Sequence, residues 1–435
     1  MRTPIDDPGA CRKYPRRHFM ADAAKALLGV GCTGYLNHSP AARLAHAAMA
    51  TSPGKAKSVI YLYMSGGMSH LDTFDPKPGA DSQGDTQPAQ TRLPGVLISN
   101  RLPKLAYLMN GIALIRSMTT ETGAHEQGQY VLRTSYRQLN SIRHPGLGAW
   151  TNHVFGKRNA RLPGNVLVGS AAGHPGSGFL PASIAPVPIP NPQAGLENTQ
   201  PPSYVTDEQF RRRMSLAMQL DAKFKTTHDS ALIDAYDATY KEALKLMSSS
   251  ELQAFDISKE SEKVREFYGN NKLGQGCLLA RRLVEHGVRF VEVEYGGWDH
   301  HNDIYDRLPE MSEVLDNALG ALLRDLASKG MLGEVLVVLA TEFGRTPKIN
   351  ENAGRDHHPG AFSALLCGAG IRGGQVYGKS DDQGASVEED GVYPEDLNAT
   401  IAAAMGLPLD EEFYAPNGRP FRICNNGTPI KELLA

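Results

Sequence analysis

Two short runs in the carboxyl-terminal half of this 435-residue chain gather side chains that bind metals and move protons. They are Asp299-His300-His301 and Asp356-His357-His358. In an extended loop Asp299 and His301 point the same way, because side chains alternate along such a backbone. One carboxylate and one imidazole are good ligands for zinc, manganese or iron. Glu342 adds a carboxylate just upstream of the second run. Together these stretches offer two or three carboxylates and two or three imidazoles. That suffices for one metal, or for the pair used in hydrolytic phosphoryl or sulfuryl transfer. Arg345 and Arg355 match the oxygens of an anionic substrate bidentately; the plainer reading pairs them with Glu342 or Asp356 to hold the loop. A lone Asp-x-His is more often a hydrogen-bonded turn than a ligand pair. Here three such clusters end three neighbouring elements, and the conjunction points to a metal site.

Further candidates lie upstream. His70 and Asp72 follow Ser65-Gly66-Gly67, where glycine lets the backbone turn sharply or approach a ligand. Thr119 and Thr120 stand in a hydroxyl-rich stretch that runs on to His125, which makes the two threonines candidate nucleophiles; the plainer reading is a helix cap.

The elements that must carry these residues read as strand, loop, helix, strand, loop, strand. Arg289 to Tyr295 is a strand ending in Gly296-Gly297-Trp298. A helix follows, with Leu315, Leu319, Leu322, Leu323 and Leu326 at helical spacing. Glu334 to Ala340 is apolar on both faces, as a central parallel strand is; the apolar run from Ala361 to Cys367 comes next. Earlier strands are Ser58–Met64, Ile112–Arg116 and Asn165–Val168. In open α/β sheets ligands collect at the carboxyl ends of strands, and here those ends carry Asp, His, Glu and Arg. Gly173 to Pro202 reads as a long surface loop, and Gly370 to Gly378 as a hairpin. Thr206-Asp-Glu-Gln209 is a capping box opening a helical insertion over about 204–270, with no chemical motif of its own.

Composition narrows the class. A hydrophobic content of 41% and a charged content of 21% fit a globular chain, and a formal charge of -2 gives no reason to expect nucleic acid. No apolar run is long enough to span a membrane. The first fifty residues read as an address: Arg16-Arg17-His18-Phe19, a modest apolar region, then Ala48-Met49-Ala50 as a cleavage site. Residues 1–50 are expected to be a twin-arginine signal peptide and linker. Residues 51–435 are expected to form one domain, exported by the twin-arginine machinery to the periplasm or beyond. Without the signal the chain carries 38 basic and 44 acidic residues, a formal charge of -6. Cys277, Cys367 and Cys424 then remain, which is neither a disulfide framework nor a zinc site.

Several of these stretches resemble one bacterial family. They are Arg16-Arg17-x-Phe19, Ser65-Gly66-Gly67-x-Ser69-His70-x-Asp72-Thr73-Phe74-Asp75-x-Lys77-Pro78, Gly297-Trp298-Asp299-x-His301, Thr341-Glu342-Phe343-Gly344-Arg345-Thr346-Pro347 and Gly354-Arg355-Asp356-His357-x-Pro359. The family is an exported one of unknown function, often labelled sulfatase-like and grouped with the alkaline phosphatase/sulfatase superfamily. The resemblance spans essentially the whole chain. It implies an α/β fold: a three-layer α/β/α sandwich with a mostly parallel mixed sheet, alkaline-phosphatase-like. It also implies metal ligands among Asp299, His301, Glu342, Asp356, His357 and His358. Phe343 stands where that superfamily has a ligand histidine, and the chain lacks the Cys-x-Pro-x-Arg motif of formylglycine sulfatases.

Two functions are compatible with these residues. One is an exported hydrolase of phosphate or sulfate esters that uses a divalent metal (zinc, manganese or calcium) and acts on an anionic small molecule or polysaccharide ester. The other is a non-catalytic protein of the same fold that binds anionic glycans or a surface partner.

Overall fold

The computed structural model describes residues 56–197, 199, 203–225, 240–247 and 249–435. The expected signal segment, residues 1–50, lies outside the described residues. Eight strands form the main sheet: β1 (Ser58–Met64), β2 (Ile112–Met118), β3 (Asn165–Val168), β4 (Val187–Ile189), β5 (Phe290–Tyr295), β6 (Val335–Ala340), β7 (Phe362–Gly368) and β8 (Gln375–Tyr377). Their order is β8-β2-β7-β6-β1-β5-β3-β4. Every neighbouring pair is parallel except the two that β7 makes, with β6 and with β2. β7 alone runs against the rest, so the sheet is mixed and mostly parallel.

Burial explains the strand sequences. All seven residues of β1 and all six of β6 are buried, which only a strand covered on both faces requires. Ile60, Leu62 and Met64 of β1 pack into one apolar layer, whereas Val59, Tyr61 and Tyr63 pack into the other. Helices α1 (Pro103–Leu108), α6 (Lys272–Glu285) and α7 (Ile304–Ser328) cover the first face. Helices α2 (His125–Thr134), α3 (Leu147–Phe155) and α8 (Pro394–Met405) cover the second. Each fully buried leucine or isoleucine in these layers contributes about 1.5–3 kcal/mol. The result is a three-layer α/β/α sandwich.

Three expectations about elements need correction. Gly370 to Gly378 is not a hairpin: Gln375–Tyr377 adds to the sheet edge, parallel to β2. The Pro- and Gly-rich stretch from Gly173 is not wholly loop either, since Val187–Ile189 extends the opposite edge beside β3. The insertion does open with the capping box, Gln209 N–H donating to Thr206 Oγ1 at 3.2 Å and Thr206 N–H to Gln209 Oε1 at 3.0 Å. It is not helical throughout, because α4 (Asp207–Lys225) and α5 (Glu262–Tyr268) are separated by the 3-10 turns Ser250–Phe255 and Ile257–Lys259. No helix among the described residues is long and apolar enough to cross a membrane.

Candidate functional site

Strands β1, β5 and β6 lie side by side and parallel, so the loops leaving their carboxyl ends meet at one edge of the sheet. β7 runs the other way, which brings its amino end, just after His357 and His358, to the same edge. Two glycines let the backbones close up there. Gly66, at φ 118°, passes so near Asp299 that a Cβ would sit 2.6 Å from the Asp299 nitrogen. Gly128 lets α2 lie against Glu342 and Phe343, both 3.2 Å from where its Cβ would be. The loop after β5 is zipped to the loop after β6, Arg355 N–H donating to the His300 carbonyl at 2.9 Å and Asn350 Nδ2 to the His301 carbonyl at 3.0 Å. A two-residue antiparallel ribbon then pairs His357 with Arg345 and His358 with Gly344.

Three imidazoles meet one carboxylate in this place. Each ring is tied back through Nδ1. His125 donates to Glu342 Oε1 at 2.8 Å, His301 to Asp356 Oδ1 at 2.8 Å and His357 to the Gly123 carbonyl at 2.7 Å. Their Nε2 atoms turn toward Asp299. The distances to its carboxylate oxygens are 3.3 Å for His125 and 3.1 Å for both His301 and His357. Ligand atoms of His125, Asp299 and His357 all lie within 4.8 Å of one another. His301 adjoins them, its Nε2 3.0 Å from that of His357. Phe343 forms the floor, its ring centroid 5.0 Å from that of His125 and 4.7 Å from that of His357.

The charges have clear causes. The hydrogen bond to buried Glu342 raises the pKa of His125 above its ordinary value, against the opposing effect of burial. Burial pushes the Asp299 carboxyl up, but hydrogen bonds from Arg345 and His357 together hold it well below the usual carboxylate range. Arg345 donates to Asp299 Oδ1 at 2.5 Å. Burial lowers the pKa of His357. Glu342 stays ionised despite burial, because His125 and the Gly66 N–H, at 2.9 Å, both donate to it.

This donor set fits a metal ion. The Nδ1 atoms of all three rings face acceptors, and the Nε2 atoms of His301 and His357 stand only 3.0 Å apart. His125 Nε2 is buried without a hydrogen-bond partner. A cation relieves both conditions. Tying Nδ1 to a carboxylate or carbonyl is how proteins fix the tautomer of a ligating histidine.

Other residues singled out in the sequence lie elsewhere. Arg355 and Asp72 are fully buried and paired, Arg355 Nε donating to Asp72 Oδ2 at 2.8 Å. The remaining Arg355 donors go to the carbonyls of Thr346, Pro347 and Ser82, and Asp72 also accepts from Ser69 and Thr86. Arg345 is fully buried too, spent on Asp299 and on the carbonyls of Gly66, Gly67 and Arg355. Both arginines are turned inward and hold loops, as the plainer reading of the sequence has it. His70 is buried with Nε2 against the Gly384 carbonyl, and burial lowers its pKa to about 4. His358 turns to the opposite side of the ribbon from His357 and contacts the Ala385 carbonyl at 2.5 Å. Asp356 and Glu342 position histidines rather than entering the cluster. The threonines do not join it either: Thr119 Oγ1 donates to the Pro359 carbonyl at 3.3 Å, and Thr120 faces a separate cleft. The gain is His125, which the sequence placed beyond a strand end without showing that Glu342 would orient it.

The model of the family described as Protein of unknown function (DUF1501) matches residues 56–434. No curated protein matches the chain in sequence. Similar solved structures include the PsFucS1 sulfatase of a Pseudoalteromonas species, at 12% identity and a TM-score of 0.40, over 90% of this chain and 72% of that one. The lipoteichoic acid synthase LtaP of Listeria monocytogenes has 9% identity and a TM-score of 0.42, over 90% and 81%. The alkaline phosphatase of the Antarctic bacterium TAB5 has 13% identity and a TM-score of 0.34, over 81% and 99%. The chain belongs to the DUF1501 family.

Proposed function

We propose that the chain is a metal-dependent hydrolase of phosphate or sulfate esters, with the metal held by His125, Asp299 and His357 and with His301 at its edge. One observation carries the reading: three imidazoles are fixed by their Nδ1 hydrogen bonds so that every Nε2 turns toward the Asp299 carboxylate. Nitrogen donors with one carboxylate favour zinc or manganese over calcium, which takes oxygen ligands. A divalent metal held there supplies positive charge to polarise a phosphoryl or sulfuryl oxygen. Arg345 keeps the Asp299 carboxylate ionised and in place, Glu342 fixes the His125 ring, and Asp356 fixes that of His301. Export through the twin-arginine route suits this reading, since that route carries folded proteins already loaded with metal.

Elemental analysis of the purified protein beside its His357→Ala variant tests the site. The expected result is stoichiometric zinc or manganese in the wild type, reduced at least tenfold in the variant. Turnover on a panel of aryl and alkyl phosphate and sulfate esters, lost with the metal, is the accompanying expectation. Metal content unaffected by the substitution would refute the assignment.

A second reading, a non-catalytic binder of an anionic glycan, draws on Thr119 being spent on the Pro359 carbonyl, on Thr120 facing the separate cleft, and on the burial of Arg345 and Arg355. It predicts glycan binding that survives chelation and no turnover with metal supplied.

A further inference from the structure

Beside the metal-type cluster lies a separate cleft with a volume of about 970 Å³. The wall between them is the segment Thr119–Gly123. On one side its Gly123 carbonyl accepts from His357; on the other Thr120, Glu121 and Thr122 line the cleft. Thr122 Oγ1 and Gln127 Oε1, 3.0 Å apart, brace the wall against the first turn of α2, two residues beyond His125.

The cleft has an uncommon lining. Its one aromatic side chain, Tyr393, is well exposed, just before the amino end of α8. Around it stand planar amides, Gln127, Gln138, Asn140 and Asn425. Asn425 lies in a run of three non-glycine residues with left-handed backbone, Cys424 to Asn426 at φ 59°, 49° and 62°. Such a run is costly, and it is held where it adds an amide to the cleft. The charges are Glu121, Glu126 and Glu395 against Arg137 alone. Arg137 is already paired with Glu121, and among the described residues Glu126 and Glu395 form no ion pair.

We propose that this cleft seats the non-reacting part of the substrate, and that this part is a saccharide carrying no sulfate, phosphate or carboxylate of its own. The argument is chemical. An exposed aromatic face with amides and carboxylates around it suits a ring with apolar faces and hydroxyls at its rim. Amides and carboxylates donate to or accept from those hydroxyls without needing charge on the ligand. A polyanionic chain would instead meet two carboxylates that no cation neutralises among the described residues, Glu126 accepting only from the Gln138 amide, and like charges set together cost free energy. A peptide groove would offer a strand edge or an apolar trough, and the lining contains neither. This inference rests on the hydrolase reading for the word substrate, but binding in the cleft does not depend on the metal.

The test is therefore binding, on the wild type and on the Asp299→Asn variant, with three probes by calorimetry or saturation-transfer resonance. The probes are cellohexaose, a fully deacetylated chitosan hexamer and a heparin hexasaccharide. Expected is binding of cellohexaose, of the chitosan hexamer or of both, equal in the two proteins and weakened at least tenfold by Tyr393→Ala. Glu126→Gln with Glu395→Gln should weaken the chitosan hexamer more than cellohexaose. A circular dichroism spectrum and melting temperature matching the wild type show that the Tyr393→Ala protein is folded. Tighter binding of the heparin hexasaccharide than of either other probe, binding indifferent to Tyr393→Ala, or no binding of any of the three would overturn the proposal. Loss of binding only in Asp299→Asn would overturn it as well, because the ligand would then sit on the metal.

Discussion

Two polar constellations stand at the same edge of the sheet, built from the same residue types. The Asp72–Arg355 pair and the Asp299 cluster both join a carboxylate to cationic or titratable side chains. The pair has no exposed surface, and its charged groups find partners inside the fold. The cluster is open, Asp299 being 45% and His301 40% exposed, and His125 Nε2 is left without a hydrogen-bond partner. A network that closes on itself holds loops in place. One whose donor atoms converge with valences to spare is built to receive something. The distinguishing property is how the hydrogen-bond capacity is used, not which residues are present.

The largest effect should come from breaking the closed pair. Arg355→Met leaves the Asp72 carboxylate buried and unpaired, which costs about 3–5 kcal/mol, measured by urea unfolding of the metal-free protein. Asp299→Asn under the same conditions should cost under about 1 kcal/mol, its carboxylate being partly in water. Equal losses would erase the distinction drawn here.

A second closed network gives the next effect. Glu292 on β5 accepts from Arg133 Nε at 2.8 Å and lies 3.2 Å from His174 Nε2. Burial alone would raise its pKa, but Arg133 and His174 hold it at about 2. A carboxyl depressed in the folded state stabilises the fold above its unfolded pKa near 4.3, and that stability is lost as the pH falls toward 2. The loss is about 3 kcal/mol between pH 5 and 2. Thermal unfolding across that window should show it, and Glu292→Gln should flatten the profile. A slope indifferent to the substitution would remove Glu292 as its cause.

The open cluster is then sharpened by its supports. Glu342→Gln keeps the shape but weakens the acceptor at His125 Nδ1, and metal affinity should fall about 10–100-fold in a competition titration with a chromophoric chelator. Smallest of all, His358→Ala should leave metal affinity unchanged and cost about 1 kcal/mol, the worth of its bond to the Ala385 carbonyl. A loss of metal in that variant would mean that the ribbon turns the other histidine inward.

Much of the fold could be read in the sequence, because hydrophobic periodicity reports burial directly. The bounds of β1 and β3 agree with the apolar runs Ser58–Met64 and Asn165–Val168. Short edge strands escaped because Val187–Ile189 and Gln375–Tyr377 are too brief to show a period. Among site residues, residue type and position at a strand end were legible, and direction was not. His357 and His358 are adjacent, and only the pairing of the ribbon decides which one turns inward. Arg345 and Arg355 look like anion binders in any sequence; their burial depends on where the carbonyls of Gly66 and Ser82 fall, far away in the chain. His125 needed its partner 217 positions away to acquire an orientation.

The spacing has a consequence for the order in which the molecule forms. His357 is anchored to a carbonyl 234 positions earlier, and His125 to a carboxylate 217 positions later. No fragment containing only one half of the chain possesses the cluster, and loop-closure entropy makes such distant pairings late events in folding. Metal uptake is thus expected to lag behind formation of the helices, and a stopped-flow record of chelator competition should follow the final folding phase. An ion captured there would report that residues 125 and 357, far apart in the chain, have reached the same edge of the sheet.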